Sequence, residues 1–314
     1  MKHVFIINPK AGKKSSSREL TERIRQCFAH RREDEYEIFT TQSAEEATRV
    51  ARSFAEAGDP VRVFACGGDG TAFDVLNGVA GHDNVTMGVI PCGTGNDFLK
   101  YFDTPSAFAS VEAQLDGEEI LLDAIRAGDH YCMNQASMGM DAQVCVHKNK
   151  FSRLPLINGQ TAYILSLFYC FFSAIRNRLT VQVDDQPAAT GDYLFAIAAN
   201  GQYYGGGFRS APRAVVDDGL LDCVTIDSVS RLKIVSLLKK YTDGEHLELP
   251  ICHYSRGKSV TVTADKDTPV NLDGEVIYAK KIVFEILPRF VRFLLPKGCR
   301  PFASKEEKVP VTVC

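Results

Sequence analysis

Residues 61–71 read VRVFACGGDGT, a β-branched and aromatic run that leads directly into three glycines, an aspartate and a threonine. Glycine has no Cβ, so its backbone can turn sharply and bring N–H groups close to phosphate oxygens. The next segment, AFDVLNGVA, has helical character, and a helix N-terminus adds partial positive charge. Asp69 would repel a bare phosphate unless a metal ion, a water molecule or a lysine lies between them. The junction therefore predicts a site for a nucleotide polyphosphate.

Three further motifs are less specific when each is taken alone. Residues 8–12 read NPKAG and residues 91–97 read PCGTGND, and each is compatible with an ordinary turn between a strand and a helix. Asn96 or Asp97 could cap the next helix. Turns at the carboxyl ends of neighbouring parallel strands nevertheless converge where open α/β sheets bind ligands. The last motif, NLDGE at 271–275, contains Asp-Gly, the commonest hairpin signal, and by itself indicates a turn.

The elements that must position these turns alternate between strand and helix in the first part of the chain. The predicted strands are 3–8, 36–39, 61–66 and 85–90, and the predicted helices are 18–30, 43–57, 71–80 and a run after residue 97. Beyond residue 123, short alternating strands predominate, with helices near 161–178 and 231–241. The sequence thus predicts an α/β plus β fold: a three-layer nucleotide-binding α/β domain over 1–123 and a β-sandwich domain over 124–295.

Composition excludes several classes of protein. The 314 residues carry a net charge of −3, which gives no reason to expect nucleic acid as a partner. The ten cysteines form no C-x-x-C pair and no zinc-like cluster, and the first residues do not form a signal peptide, so a cytoplasmic protein is predicted.

Two apolar stretches have basic flanks. Residues 162–175 are too few to span a bilayer, which takes about 20, so a helix on an anionic membrane surface and a buried core helix are the alternatives. Residues 289–300 (RFVRFLLPKGCR) could contact a membrane in the same way or form an edge strand.

Taken together and in this order, NPxxG, GGDGT, GTGND and LDGE closely resemble the motifs of the diacylglycerol kinase catalytic family, in particular its soluble bacterial lipid kinases. Residues 134–144 (NQASMGMDAQV) and 200–222 (NGQYYGGGFRSAPRAVVDDGLLD) resemble further stretches of the family, so the resemblance covers nearly the whole chain. It implies a first domain similar to that of NAD kinases and phosphofructokinases, which residues from about 296 to 314 complete.

The resemblance also implies a reaction, in which the γ-phosphate of ATP passes to a lipid hydroxyl, with diacylglycerol as the default acceptor. Asp273 would orient that hydroxyl and accept its proton. Asp69 and Asp97, with Asp123, would organise a catalytic Mg²⁺ through water, and Asp218 with the carbonyls of Val215 and Leu220 would hold a structural Mg²⁺. The expected nucleotide-binding residues are Asn8, Pro9, Lys10, Ala11, Gly12, Thr40, Thr41, Gly67, Gly68, Asp69, Gly70, Thr71, Ala72, Phe73, Thr94, Asn96, Asp97 and Glu275.

Other acceptors and activities stay open. Sphingoid bases, ceramide and monoacylglycerol are acceptors of related enzymes. A sugar kinase or an NAD kinase would share GGDGT-like turns, although the chain lacks the Asn-Glu motif expected of an NAD kinase. A non-catalytic nucleotide or lipid sensor has no physical reason to keep so many carboxylates near phosphate. The resemblance further suggests a homodimer, peripheral contact with the inner face of the membrane, and an acyl site near residues 151–175.

Overall fold

A computed structural model describes residues 1–12, 15–31, 33–93, 95–152, 159–173 and 175–301. Within these ranges the chain forms thirteen β-strands and seven α-helices. The strands are β1 (Lys2–Ile7), β2 (Glu35–Thr40), β3 (Val61–Gly67), β4 (Val85–Pro91), β5 (Glu118–Ala127), β6 (His130–Cys132), β7 (Gln135–Gly139), β8 (Asn177–Val183), β9 (Ala189–Ala199), β10 (Leu221–Asp227), β11 (Cys252–Gly257), β12 (Ser259–Leu272) and β13 (Glu275–Leu295). The helices are α1 (Ser16–Phe28), α2 (Ala44–Glu56), α3 (Asp69–Val79), α4 (Val111–Leu115), α5 (Met140–Phe151), α6 (Gly159–Ser173) and α7 (Arg231–Asp243).

The first part of the chain is a parallel sheet with helices on both faces. Its strands pair in the order β2-β1-β3-β4. Successive side chains of a strand point to opposite faces. Val4 and Ile6 of β1 therefore pack with α2 and α3, whereas Phe5 and Ile7 pack with α1 and α4. This is the predicted three-layer α/β arrangement.

The predicted elements of this part occur in the predicted order. Ser43 caps α2, because its hydroxyl accepts the Glu46 N–H at 3.3 Å. The run predicted as helical after residue 97 is only a 3₁₀ turn, Phe98–Tyr101. Pro105 follows closely, and proline cannot continue a helix from the residue before it.

The second part is the predicted β-sandwich of antiparallel strands. β12 pairs with β7, β8 and β13, and β9 pairs with β7, β8 and β10. Side chains such as Val260, Val262 and Phe284 fill the core between its layers. The outer face of β9, at Phe195 and Ile197, packs with α5 and α7. A second hydrophobic core therefore lies on the helical side of this sheet.

β13 joins the two parts. It pairs antiparallel with β12 and β5, and Phe293 near its end pairs in parallel with Met87 of β4. The edge strand or membrane patch predicted at 289–300 is therefore wrong, because residues 291–295 pair with β5, Phe293 also pairs with β4, and Val291, Phe293, Leu294 and Leu295 are buried. Residues 302–314, which the prediction assigned to the first domain, lie outside the described residues, and the division at 123 and 124 stays a prediction.

α6 is an amphipathic surface helix. It has no charged side chain, and it buries Ala162 and Cys170 while Phe168 is 66% exposed. It ends at Ser173 instead of the predicted 178, because the chain from Asn177 onward pairs with β9. Across the ranges that the structure describes, none of the helices combines the length and the apolar character that crossing a membrane requires.

Candidate active site

Three turns meet at the carboxyl edge of the parallel sheet. The Asp69 amide donates to the Gly95 carbonyl at 3.0 Å, and the Cys92 amide donates to the Gly67 carbonyl at 2.9 Å. The Asn8 side-chain amide donates to the Thr71 hydroxyl at 3.1 Å. The turns at 8–12, 67–71 and 91–97 therefore fix one another, at the place where such sheets bind ligands.

Two glycines allow this close approach. Gly12 has φ +75°, and a Cβ there would lie 1.9 Å from the Cys92 carbonyl oxygen. A Cβ on Gly68 would lie 2.8 Å from the Gly95 carbonyl oxygen. Both distances are shorter than van der Waals contact, so a larger residue at either position would push the turns apart.

A cavity of about 1320 Å³ extends from these turns into the second part of the protein. The predicted site residues that line it are Asn8, Lys10, Ala11, Gly12, Thr41, Gly68, Asp69, Gly70, Thr71, Asp97, Asp273 and Glu275. Glu275 approaches the GGDGT turn closely, since a Cβ on Gly70 would lie 3.1 Å from its Oε1. The structure thus brings the distal LDGE motif to the glycine-rich turns.

Six of the predicted nucleotide-binding residues are not among those that line the cavity, namely Pro9, Thr40, Gly67, Ala72, Phe73 and Asn96. Ala72 packs in the core between the parallel sheet and its helices, and Phe73 packs against the core of the β-sandwich. The Asn96 side-chain amide donates to the Gly93 carbonyl at 2.9 Å and so closes its own turn. These residues shape the turns, and a direct contact with nucleotide stays a prediction. Thr94 lies outside the described residues.

Asp273 is at the tip of the hairpin between β12 and β13. It has φ +51°, and Gly274 beside it has φ +100°. The carboxylate accepts the backbone N–H groups of Met133 at 2.8 Å, Asn134 at 3.2 Å and Gln135 at 2.7 Å. Burial raises the pKa of Asp273 to about 6, and these three amides limit the rise. Asp273 is therefore mostly ionised at neutral pH, and it lines the cavity, where a substrate hydroxyl could approach it.

A layer of polar side chains fixes the three amides that hold Asp273. The Asn200 side-chain amide donates to the Met133 carbonyl at 2.7 Å. The Gln135 side-chain amide donates to the Gly201 carbonyl at 3.0 Å and to the Ser210 hydroxyl at 2.6 Å. Sequence analysis missed these roles, although both segments were noted for their resemblance to the family.

Asp69 and Asp97 form an acidic pair in the cavity. The Asp97 amide donates to an Asp69 oxygen at 3.0 Å. The Asp97 side chain accepts hydrogen bonds from the Lys100 ammonium at 2.6 Å and from the Gly206 amide at 2.7 Å. The bond with Gly206 links the first part of the protein to the second. Burial, followed by the charge of Asp97, raises the pKa of Asp69 to about 7. A bound cation would relieve this crowding of negative charge.

The donor chemistry here fits Mg²⁺ held through Asp69 with water completing the shell, because Mg²⁺ prefers oxygen ligands and retains several waters. Among the described residues no three His, Cys, Asp or Glu side chains are grouped to hold a metal directly. Asp123, which was expected beside Asp69, is fully buried elsewhere. Its oxygens accept the amides of Gly219 and Arg289, both at 2.7 Å, so it fixes two turns.

The predicted structural Mg²⁺ site fits less well. Asp218 forms an ion pair with Arg256 and accepts the Leu220 amide at 3.0 Å. A cation would have to compete with the guanidinium for the only carboxylate of the predicted set. Asp218, Val215 and Leu220 are not among the residues that line the cavity, and their role as metal ligands stays a prediction.

Two carboxylates of the cavity, the half-buried Asp74 and the buried Asp141, were not predicted. Asp74 is on α3, five residues after Asp69, and burial followed by the charge of Glu275 raises its pKa to about 7. Asp141 is in the first turn of α5. Neither of its oxygens has a hydrogen-bond partner of ordinary geometry among the described residues. Burial raises the pKa of Asp141 to about 6, while the Ser137 hydroxyl nearby limits the rise.

Replacing Asp141 with asparagine should stabilise the protein at neutral pH. The folded-state pKa of about 6 exceeds the ordinary 3.8, so the unfolded chain loses this proton first as the pH rises. The folded protein therefore loses stability as the pH rises from about 4 to about 6, and above pH 6 the full cost of ionising the buried group is present. We expect a gain of about 1–3 kcal/mol in urea unfolding at pH 7.5 and a much smaller gain at pH 4.5. An equal gain at both pH values would contradict this account.

The far end of the cavity is apolar. Leu194 and Phe195 of β9 and Ile226 of β10 line it on the sheet side. Leu167 of α6 and Ile234 of α7 line it on the helical side. One cavity therefore joins a polar end, with glycine-rich turns and carboxylates, to an end that suits hydrocarbon.

Known proteins resemble this chain over nearly its full length. Relatives include a "Probable lipid kinase YegS-like" of Shewanella frigidimarina, 28% identical over 91% of this chain and 93% of that protein. A "Diacylglycerol kinase" of Staphylococcus saprophyticus is 27% identical over 86% of this chain and 88% of that protein. The crystal structure of a diacylglycerol kinase from Bacillus anthracis shares the fold, with a TM-score of 0.66 and 21% identity over 93% of this chain and 96% of that one.

Two family descriptions match consecutive parts of the chain. The diacylglycerol kinase catalytic domain matches residues 2–127. The YegS C-terminal NAD kinase beta sandwich-like domain matches residues 134–295, which is more than half of the chain. These matches agree with the α/β part and the β-sandwich part of the fold. The chain belongs to the diacylglycerol kinase family, and it combines that family's catalytic domain with the YegS C-terminal domain.

Proposed function

We propose that this protein is an ATP-dependent lipid kinase that transfers the γ-phosphate of ATP to diacylglycerol and forms phosphatidic acid. The observation that carries the proposal is one cavity, which joins glycine-rich turns and six carboxylates to an apolar end. A nucleotide alone would need only the first of these ends. Family membership and the names of the relatives support the same reaction.

ATP would lie along the turns at 8–12 and 67–71. Backbone amides and the N-terminus of α3 favour phosphate there, since α3 begins at Asp69, directly after the glycine pair. Mg²⁺ would be held near Asp69 and would supply positive charge against the phosphate oxygens. Asp97, through its contacts with Lys100 and Gly206, would hold the two sides of the cavity in a fixed relative position.

Asp273 would act on the acceptor. A lipid hydroxyl has a pKa far above 7, so the carboxylate would orient it and take its proton as the new bond to phosphorus forms. The three amides that hold Asp273 fix its oxygens before the substrate arrives.

A direct assay tests this function. Purified protein would be incubated with γ-labelled ATP, Mg²⁺ and mixed micelles that present diacylglycerol, sphingosine, ceramide or monoacylglycerol, with NAD as a separate acceptor. We expect label in phosphatidic acid. Label in another lipid would mean that this lipid is the acceptor and that the phosphoryl transfer itself is as proposed. Label in NADP alone, or in no product, would contradict a lipid kinase.

The proposed function includes peripheral contact with a membrane, because the acceptor resides in one. α6 would make this contact with its exposed side chains, among them Phe168 and Phe172. A homodimer stays a prediction.

Replacing Phe168 and Phe172 together with aspartate should weaken vesicle binding by about tenfold or more, because two exposed rings would no longer enter the interface. Both side chains are exposed, so the melting temperature should change little. The matched control changes both residues to leucine, which keeps the surface apolar. Sedimentation with vesicles would measure the loss of binding. Unchanged binding of the aspartate variant would show that α6 does not contact the membrane.

A further inference from the structure

α7 presents an apolar surface that nothing in the described structure covers. None of its thirteen residues is fully buried. Leu232 is 85% exposed and Val235 is 60% exposed, three residues apart on one side of the helix. Ile234, Leu237 and Tyr241 on another side pack toward the cavity. Contiguous exposed apolar surface of this kind marks an interaction site.

The mouth of the cavity lies between α6 and α7. Ile164 of α6 and Leu238 of α7 both line the cavity and are both exposed, so the apolar end reaches the surface at these two residues. Arg231 holds the helices together away from this point. Its guanidinium donates to the carbonyls of Phe171 at 3.0 Å and Phe172 at 2.6 Å. The exposed apolar residues of the two helices therefore belong to one surface around the mouth.

The charge of this surface selects its partner. α7 carries four basic residues and one acidic residue, Asp243, and Lys148 and Lys150 lie in the last turn of α5. Two copies of such a surface would repel each other. An anionic membrane would attract it, by about 1 kcal/mol for each basic residue close to the lipid surface. Charge therefore favours an anionic bilayer over a second copy of the chain.

We infer that α7 is a second membrane-contacting helix and that, with α6, it presents the cavity mouth directly to an anionic bilayer, so that the acceptor lipid enters without crossing water. The inference rests on the proposed function. In this inference Leu232 and Val235 of α7, which are not among the residues that line the cavity, contact the lipid. The basic residues of α7 provide the preference for anionic lipid.

The test replaces Leu232 and Val235 together with aspartate, and a second variant replaces both with serine. Tyr278→Asp is the matched control, because Tyr278 is 61% exposed but lies on β13, where it pairs with Pro269 of β12, and not on α6 or α7. Each protein is sedimented with vesicles of phosphatidylcholine, with and without phosphatidylglycerol, at low and high salt. Phosphorylation is then compared for a long-chain acceptor in vesicles and for a short-chain acceptor dissolved in water.

We expect both variants to lose vesicle binding, the aspartate variant by about tenfold or more, while Tyr278→Asp binds as the unchanged protein does. Binding should need phosphatidylglycerol and should weaken with salt. Phosphorylation of the vesicle acceptor should fall, and that of the soluble acceptor should not.

Unchanged vesicle binding by the serine and aspartate variants would overturn the inference. So would a dimer that either variant dissociates, since the surface would then be an interface between copies. If the unchanged protein phosphorylated neither acceptor, the proposed function would fail, while the sedimentation result would still decide whether α7 contacts membrane.

Discussion

Replacing Asp273 with asparagine should lower turnover by about 10² or more while the affinity for ATP stays nearly the same. The substitution keeps the shape of the side chain and removes the group that accepts the proton of the substrate hydroxyl. ATP would contact the turns of the first part, none of which Asp273 belongs to. Single-turnover phosphorylation measures the chemical step, and calorimetric titration with ATP measures binding.

The substitution also has a structural cost that needs a control. Asparagine would turn its NH₂ group toward backbone N–H groups that now donate to Asp273. Asp184 offers a matched comparison, because it too has a positive φ, +47°, and its carboxylate accepts the amides of Lys258 and Ser259 at 2.9 and 2.8 Å. It does not line the cavity.

Asp184→Asn should lose similar stability and keep full turnover. If both variants lost turnover in proportion to stability, Asp273 would be a structural residue of the hairpin. If Asp273→Asn kept full turnover, it would have no part in proton transfer.

The parallel sheet was predictable from the sequence because local pattern and global fold agree there. The strand at 61–67 is apolar except for Arg62 because helices cover both faces of the sheet, and the glycines at its end mark the turn. Each predicted element needed only its own residues to be recognised. The order of the elements then placed the three turns at one edge of the sheet.

α5 was not predicted because polar residues on its cavity side interrupt the apolar spacing of a helix. Its inward side carries Asp141, Cys145 and Lys148, which line the cavity, so polar residues occupy positions that a core-facing helix would give to apolar ones. The usual contrast between an apolar and a polar face is therefore absent. A helix whose inner face borders a ligand cavity is difficult to detect from hydrophobic spacing alone.

The continuity of β12 is not evident from the sequence for a related reason. Residues 265–268, DKDT, are polar and resemble a loop. In the structure they lie within β12, where the register with β13 shifts between Thr263 and Thr268. A bulge lets the strand continue while its side chains face solvent.

The amides at 133–135 that hold Asp273 could not be predicted from the sequence either, since backbone donors 138 to 140 residues away in the chain leave no local signal.

Replacing Asp69 with asparagine should separate two effects of its charge on nucleotide binding. The asparagine oxygen can still accept the Asp97 amide, so the turn should persist. Without the carboxylate, the gain in ATP affinity that Mg²⁺ provides should fall by about tenfold or more, because the cation loses its anionic partner. Affinity for ATP in the presence of EDTA should stay equal or rise, since one negative charge no longer repels the phosphates.

The control and the pH dependence of this variant make the prediction specific. Asp74→Asn removes a charge from the same helix and the same cavity. If that variant lost as much of the Mg²⁺-dependent ATP affinity, Asp69 would contribute only through its general negative charge and not as a specific partner of the cation. The pKa of Asp69 is raised to about 7, so the unchanged protein should itself lose Mg²⁺-dependent affinity as the pH falls from 8 to 6. Asp69→Asn has no such proton to gain, and its affinity for Mg²⁺ and ATP should change much less over that range. A pH dependence as steep in the variant as in the unchanged protein would assign the titrating group to another carboxylate of the cavity.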